Sequence, residues 1–214
     1  SSSDAESFKP WYALSLRALS DDEGVVSGAV GLLRSIGQKR ALENEVHTRA
    51  LVDPLTGLAN RHAFYSGLRR QLADKAEGSL VIFEIDRMRA VFMQFGQRTA
   101  DEIVWGFAKF LETMVNGEYQ LAQFDGERFC VTLVGMPTKA ALRWANEVLT
   151  TFAALTLTTS TSSPRLSASA GLARIAVSVD ATLRQAELAL VMARARGGMQ
   201  AIEAPAPAGL SLAL

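Results

Sequence analysis

The chain has 214 residues, 49% of them apolar and 21% charged, and its 22 basic and 22 acidic side chains cancel to a formal net charge of zero. A chain so composed can bury a real core, which excludes bulk disorder, and it carries no whole-chain electrostatic footprint for nucleic acid or an anionic membrane. The single cysteine, Cys130, excludes an internal disulfide and fits a reducing compartment. The apolar runs stop short of the roughly 20 residues that cross a bilayer, and the opening Ser-Ser-Ser-Asp is not a signal peptide. The expectation is a cytoplasmic chain with no membrane insertion, open to being a fragment of something larger.

In chain order, residues 1–8 are polar and read as loose. Residues 11–19 and 25–35 read as two strands around the turn residues Ser20 to Gly24, a hairpin. The charged stretch Gln38 to Arg49, with Leu42 and Val46 four apart, reads as a connecting helix. From Asp53 a regular alternation begins. Phe64, Leu68 and Leu72 space a helix, residues 79–86 an apolar strand, and Ile103 to Met114 a second helix. Residues 119–124 and 129–135 read as strands around a short polar turn, with Cys130 buried between Phe129 and Val131. Leu142 to Phe152 is helical, 156–164 a Thr/Ser-rich loop, 166–176 a strand, and Leu183 to Arg196 a last helix stopped by Gly197 and Gly198. Residues 204–214 read as a tail. Strands alternating with helices, and including a hairpin, predict an α/β (α+β) class with a mixed central sheet flanked by helices.

Residues 53–61, Asp-Pro-Leu-Thr-Gly-Leu-Ala-Asn-Arg, followed by Phe64, closely resemble the opening motif of GGDEF domains, the diguanylate cyclase family (D-x-L-T-G-L-x-N-R-x-x-F). Three further landmarks fall in register. Glu84-Ile85-Asp86-Arg87-Met88-Arg89 stands where the family has D-x-D-x-F-K, with Gly96 and Asp101 matching its G-H-x-x-G-D segment. Asp125-Gly126-Glu127-Arg128-Phe129 stands at the signature G-G-D/E-E-F. Leu183 to Gly197 is similar to the closing L-x-x-A-D-x-A-L-Y-x-A-K-x-x-G. The resemblance covers residues 53–200. Residues 11–43 are similar to the last two strands and exit helix of PAS sensor domains. The expected organisation is a partial PAS-like hairpin at 1–35, a linker helix at 36–52, a GGDEF-like domain at 53–202 with the nucleotidyl-cyclase-like fold, and a tail at 203–214.

The resemblance implies a chemistry. Active members join two GTP molecules into cyclic di-GMP across a face-to-face dimer, with two metal ions stabilising phosphate charge. The carboxylates that hold Mg2+ map to Glu84 and Glu127, and the backbone carbonyl to Ile85. Glu84 replaces the usual Asp, and its extra methylene moves the oxygens by about 1 Å, a shift that can cost roughly a hundredfold in a positioned reaction. The catalytic fourth signature position is a Glu in active members; here it is Arg128, expected to compete with magnesium or to pair with Glu127. The nucleotide-binding positions are Asp125 and Gly126 of the signature, where the first glycine of the family is lost, together with Phe92, Asp101, Arg89 and Arg194. Phe92 replaces the Asn that reads the guanine edge, and Asp101 is the retained second base-reading residue. Arg89 and Arg194 keep the charge of two phosphate-contacting lysines. The arginine that precedes the signature in the family is Gln123, and the one after the last glycine is Gly198. The product-inhibition motif R-x-x-D would fall at Asn116 and Tyr119, so no inhibitory site is expected. From the residues alone, Glu84 and Glu127 are equally solvated carboxylates at strand ends, Arg89 and Arg194 surface cations, and Asp101 an acidic residue near a helix N-terminus.

Three readings follow. The favoured one is a degenerate GGDEF domain that passes a signal in cyclic di-GMP regulation, inactive or very weak as a cyclase, with GTP as a weakly bound cue and Mg2+ only where nucleotide binds. Its partner would be a second copy in a homodimer or an adjacent signalling domain. The alternatives are an active cyclase with a relaxed motif and a pure protein-interaction scaffold.

Overall fold

The apolar runs fold where their periodicity places them. The structure, a computed structural model, describes residues 12–20, 26–35, 51–115, 117, 119–155, 166–176 and 178–205. The expected connecting helix, the polar start, the 156–164 loop, Asn116 and most of the tail lie outside these residues. Two units divide the chain, Ser1–Ala50 and Leu51–Leu214.

The first unit holds the expected hairpin. β1 (Tyr12–Ser20) pairs antiparallel with β2 (Val26–Ser35), Tyr12 opposite Ser35, with a register shift between Leu19 and Ser20. Leu14 and Leu16, two apart and therefore on one face, are both exposed.

The second unit runs α1 (Arg61–Ala73), β3 (Gly78–Ile85), α2 (Met88–Met114), β4 (Gln120–Asp125), β5 (Arg128–Val134), α3 (Thr138–Ala154), β6 (Ala168–Arg174), α4 (Val179–Ala195) and β7 (Ala201–Glu203). The sheet order is β4-β5-β3-β6-β7. Only the β6–β7 pair is parallel, so the sheet is mixed, as expected. β3 lies at the centre and all its residues are buried.

The two-residue strand period sorts that centre into two cores. Val81, Phe83 and Ile85 pack with Phe107 and Leu111 of α2 and Phe152 of α3. Leu80 and Ile82 pack with Phe64 and Leu68 of α1 and Leu183 and Leu190 of α4. Glu84, next in the second set, faces the α1/α4 side. Arg128, two residues before the buried Cys130 on β5, shares that side. α4 lies directly on β6: a Cβ at Gly171 would sit 2.1 Å from the Ala186 carbonyl oxygen and 2.2 Å from the Leu190 nitrogen.

Two elements differ from expectation. The second helix begins at Met88, not near Ile103. Arg87, in the left-handed region at φ 60°, precedes it, and Gly96 (φ 80°, ψ 177°) breaks it into a short and a long segment. The short segment exposes Phe92 and Met93, so its apolar residues show no single buried stripe. β7 is three residues long, too short for any periodicity, and is fixed by pairing with β6. Among the described residues no helix is long and apolar enough to cross a membrane.

Candidate functional site

The first motif builds a loop beside β4. Asp53 Oδ1 accepts the backbone N–H of Leu55 (3.0 Å) and of Thr56 (2.9 Å) and the Thr56 hydroxyl (2.9 Å), an Asx turn that holds residues 53–56. Asn60 then caps α1 by accepting the Ala63 N–H at 3.1 Å. The Gln123 N–H donates to the Ala59 carbonyl at 2.8 Å, tying the loop to β4.

The signature sits on the β4–β5 turn. Gly126 carries the positive φ of this turn, 34°. Asp125, at the lost first glycine, is not in that region. The Ile85 N–H donates to the Glu127 carbonyl at 3.2 Å, and Glu84 lies opposite Arg128 in the β3–β5 register. Strand pairing thus brings Glu84, Ile85, Glu127 and Arg128 together, although more than forty positions part Glu84 from Arg128 in the sequence.

Arg128 does not pair with Glu127. Its Nε donates to Asp125 Oδ1 at 2.6 Å, its Nη2 to Asp125 Oδ2, and its Nη1 lies 3.5 Å from Glu187 Oε1 of α4. The guanidinium also lies 5.6 Å from the Phe124 ring, whose centroid is 4.6 Å from Arg61 Cζ. The reason is directional: Arg128 points to the α1/α4 side, where Asp125 and Glu187 offer carboxylates. This hydrogen-bonded pairing raises the Arg128 pKa above its ordinary value. Glu187 was not foreseen as a partner, because no local spacing links positions 128 and 187.

Glu84 is only 8% exposed. Its carboxylate is paired with the Arg194 guanidinium from the last turn of α4. Arg194, expected to hold a phosphate, meets the strand end in this structure and keeps half of its side chain exposed. Burial raises the Glu84 pKa, with the Arg194 charge opposing the rise and the nearby Glu127 adding to it. Glu127 itself has no ion-pair or hydrogen-bond partner for its carboxylate among the described residues.

Two clefts flank the short helical segment after Arg87. The first, of about 490 Å³, is lined by Arg89, Phe92, Asp101, Gln123, Gly126 and Glu127, with Leu55 and Met88 among its apolar walls. Phe92 is half-exposed there, and Asp101 accepts a 2.7 Å bond from Gln97. Gln123 is buried; its Nε2 donates to the Gly126 carbonyl at 2.8 Å and its Oε1 has no partner. The second cleft, of about 850 Å³, is lined by Asp86, Arg87, Phe95, Ser167, Arg194 and Gly198. Asp86 accepts the Ser167 and Ser169 hydroxyls, both at 2.7 Å. The structure thus gathers Arg89, Phe92, Asp101, Gly126 and Glu127 at one cleft and Arg194 at the other.

A sequence model described as the GGDEF domain of diguanylate cyclases matches residues 50–200. The chain belongs to the GGDEF family. It is similar to Diguanylate cyclase DgcM of Escherichia coli K12, 27% identical over 146 residues that are 66% of this chain and 35% of the relative. It is also similar to Cyclic di-GMP phosphodiesterase PdeB of Shewanella oneidensis, 21% identical over 181 residues, 83% of this chain and 21% of PdeB. The chain thus spans about a third of the one and a fifth of the other. Among solved structures it resembles the coiled-coil and GGDEF region of DgcB from Caulobacter crescentus, solved in complex with c-di-GMP. The TM-score is 0.74 at 20% identity, covering 79% of this chain and 93% of that one. That similarity shows a shared GGDEF fold.

GGDEF cyclases generally use magnesium, so the fit of this donor set to such an ion can be tested. Magnesium takes hard oxygen ligands and favours carboxylates whose charge is free. Here the Glu84 charge is already met by Arg194, and Arg128 stands opposite Glu84 in the register. Of the two expected carboxylate ligands only Glu127 is without a partner among the described residues, and one such carboxylate does not fit a resident divalent ion in this arrangement.

Proposed function

We infer that this chain is a degenerate GGDEF domain that transmits a signal by contact in cyclic di-GMP regulation, with little or no cyclase activity. The observation that carries this reading is the clamp on Arg128. A fixed guanidinium occupies the fourth signature position, and its partners Asp125 and Glu187 hold it there. A phosphoryl-transfer site works by placing charge where the transition state develops it, and this position carries the opposite sign from the one active members use.

The nucleotide reading is narrower. Arg89, Asp101, Glu127 and the unpartnered Gln123 Oε1 around one cleft support weak GTP binding as a cue. Phe92 removes an edge-reading hydrogen bond, a loss of about 1–3 kcal/mol in a buried polar site. Domain limits of 53–202 for the GGDEF-like part and 1–35 for a PAS-like hairpin belong to the same proposal; the exposed Leu14 and Leu16 suit a strand pair made to pack against more sheet. So does a partner in the form of a second copy or an adjacent signalling domain, and a cytoplasmic setting.

The test is incubation with GTP and magnesium, followed by chromatography for cyclic di-GMP and an assay for pyrophosphate. No product above a protein-free control is expected. Product formation would overturn the reading in favour of an active cyclase with a relaxed motif. Calorimetric titration with GTP then separates a nucleotide-sensing domain, which gives saturable heat, from a scaffold, which gives none.

A further inference from the structure

The mismatch between this donor set and magnesium has a structural cause. Glu84 is almost fully buried at the end of the central strand, and a carboxylate there requires a cation. Arg194 supplies it from the last turn of α4, and the neighbouring loop fixes the place it comes from. The Met199 N–H donates to Ser169 Oγ at 3.1 Å, Ser169 Oγ donates to Asp86, and the Gln200 amide reaches the Ala193 and Arg196 carbonyls. A second guanidinium, Arg128, lies across the β3–β5 register from Glu84 and is held by Asp125 and Glu187. A divalent ion entering beside Glu84 meets a carboxylate whose charge Arg194 already answers, with the guanidinium of Arg128 across the register, and only Glu127 of the two expected carboxylate ligands is without a partner among the described residues.

Two further cations stand by. Arg89 lines the first cleft and Arg87 the second, and neither has an ion-pair partner among the described residues. They stand at the two sides of the start of α2, free to meet an oligophosphate.

We propose that Arg194 is a built-in counter-ion standing in for the divalent metal at Glu84, so that the nucleotide-free protein rejects divalent cations and a nucleoside triphosphate binds without one. This rests on the nucleotide-binding reading above. The protein supplies the positive charge that a bound metal would otherwise bring, through Arg89 in the first cleft toward the phosphates and through Arg194 toward Glu84.

Two measurements test it on the full chain. The first follows Mn2+ binding to nucleotide-free protein by electron paramagnetic resonance, for the wild type, Arg194→Gln and Arg194→Lys. Arg194 is half-exposed, and a melting curve confirms that each variant is folded. The wild type and Arg194→Lys are expected to bind poorly. Arg194→Gln is expected to gain about tenfold or more in Mn2+ affinity, the lower end of what a neighbouring group does to a metal ligand. The second titrates a non-hydrolysable GTP analogue with EDTA and again with MgCl2, and expects dissociation constants that agree.

Wild-type Mn2+ binding as tight as that of Arg194→Gln, or no gain in the folded variant, overturns the proposal. Analogue binding that requires magnesium overturns it too, and leaves the signalling reading intact. Absence of analogue binding under both conditions removes the nucleotide cue from that reading, and this proposal with it.

Discussion

Arg128 and Asp125 close the β4–β5 turn on each other, with Nε 2.6 Å from Oδ1 and Nη2 donating to Oδ2. The two departures from the signature therefore form one structural unit: the cation at the fourth position meets the carboxylate at the first. Arg128→Glu alone sets a carboxylate beside Asp125 and Glu187. The Arg128 and Asp125 side chains are 29% and 38% exposed, so screening keeps each effect small. Arg128→Glu is expected to cost about 1–2 kcal/mol and Asp125→Gly about 0.5–1 kcal/mol. The double variant should cost less than their sum by about 0.5–1 kcal/mol. Urea denaturation of the four proteins measures the coupling, and strict additivity would show that the pair contributes nothing.

Recovery of chemistry should need several positions at once. Asp125→Gly, Arg128→Glu and Phe92→Asn together are expected to yield more cyclic di-GMP from GTP and magnesium than any single change, because the three act on one site. Adding Glu84→Asp should raise the yield again, since the shorter carboxylate disengages from Arg194. If the fourfold variant makes no product, these four positions do not by themselves account for the proposed inactivity.

The burial of Glu84 predicts a pH dependence. Its folded pKa is raised, so between the usual glutamate range and that raised value the native state binds more protons than the unfolded chain. Stability therefore falls as pH rises through this window. The opposing Arg194 charge makes the fall modest. Melting temperatures of wild type and Glu84→Gln across mildly acidic pH should diverge, the variant lacking this component of the slope. Parallel curves would mean that Glu84 titrates as it does in the unfolded chain.

Gly171→Ala probes how closely α4 rests on β6. The added methyl meets backbone atoms at 2.1 and 2.2 Å, which cannot rotate away. Overpacking of this kind costs about 1–3 kcal/mol or more, read as a lower urea midpoint. Because α4 carries both Arg194 and Glu187, the same variant should also loosen the two ion pairs. A wild-type midpoint would show that helix and strand separate without cost.

Much of this was legible in the sequence. Nine consecutive motif residues gave the loop at 53–61, in which the structure adds Asn60 as the cap of the next helix, and apolar spacing gave the long helices and the mixed sheet. Cys130 is buried as its neighbours implied, and burial raises its thiol pKa well above the usual range. The partners of the charges were not legible. Arg128 was expected to compete with magnesium or to pair with Glu127 and is found on Asp125 and Glu187; Arg194 was expected on phosphate and is found on Glu84. Local spacing predicts which way a strand residue points, but not which helix covers that face or which of its side chains arrives. The helical start at Met88 was hidden for a related reason, since Phe92 and Met93 turn their apolar surface outward.

The short segment between Arg87 and Gly96 forms a partition. Met88, Arg89 and Phe92 form part of one chamber wall, while Ala90, Val91, Gln94 and Phe95 form part of the other. Both ends are backbone positions with positive φ, 60° at Arg87 and 80° at Gly96. A partition about 10–12 Å across, the width of one helix, leaves the two chambers without independent volumes. Whatever widens one by pushing on the shared wall does so at the expense of the other.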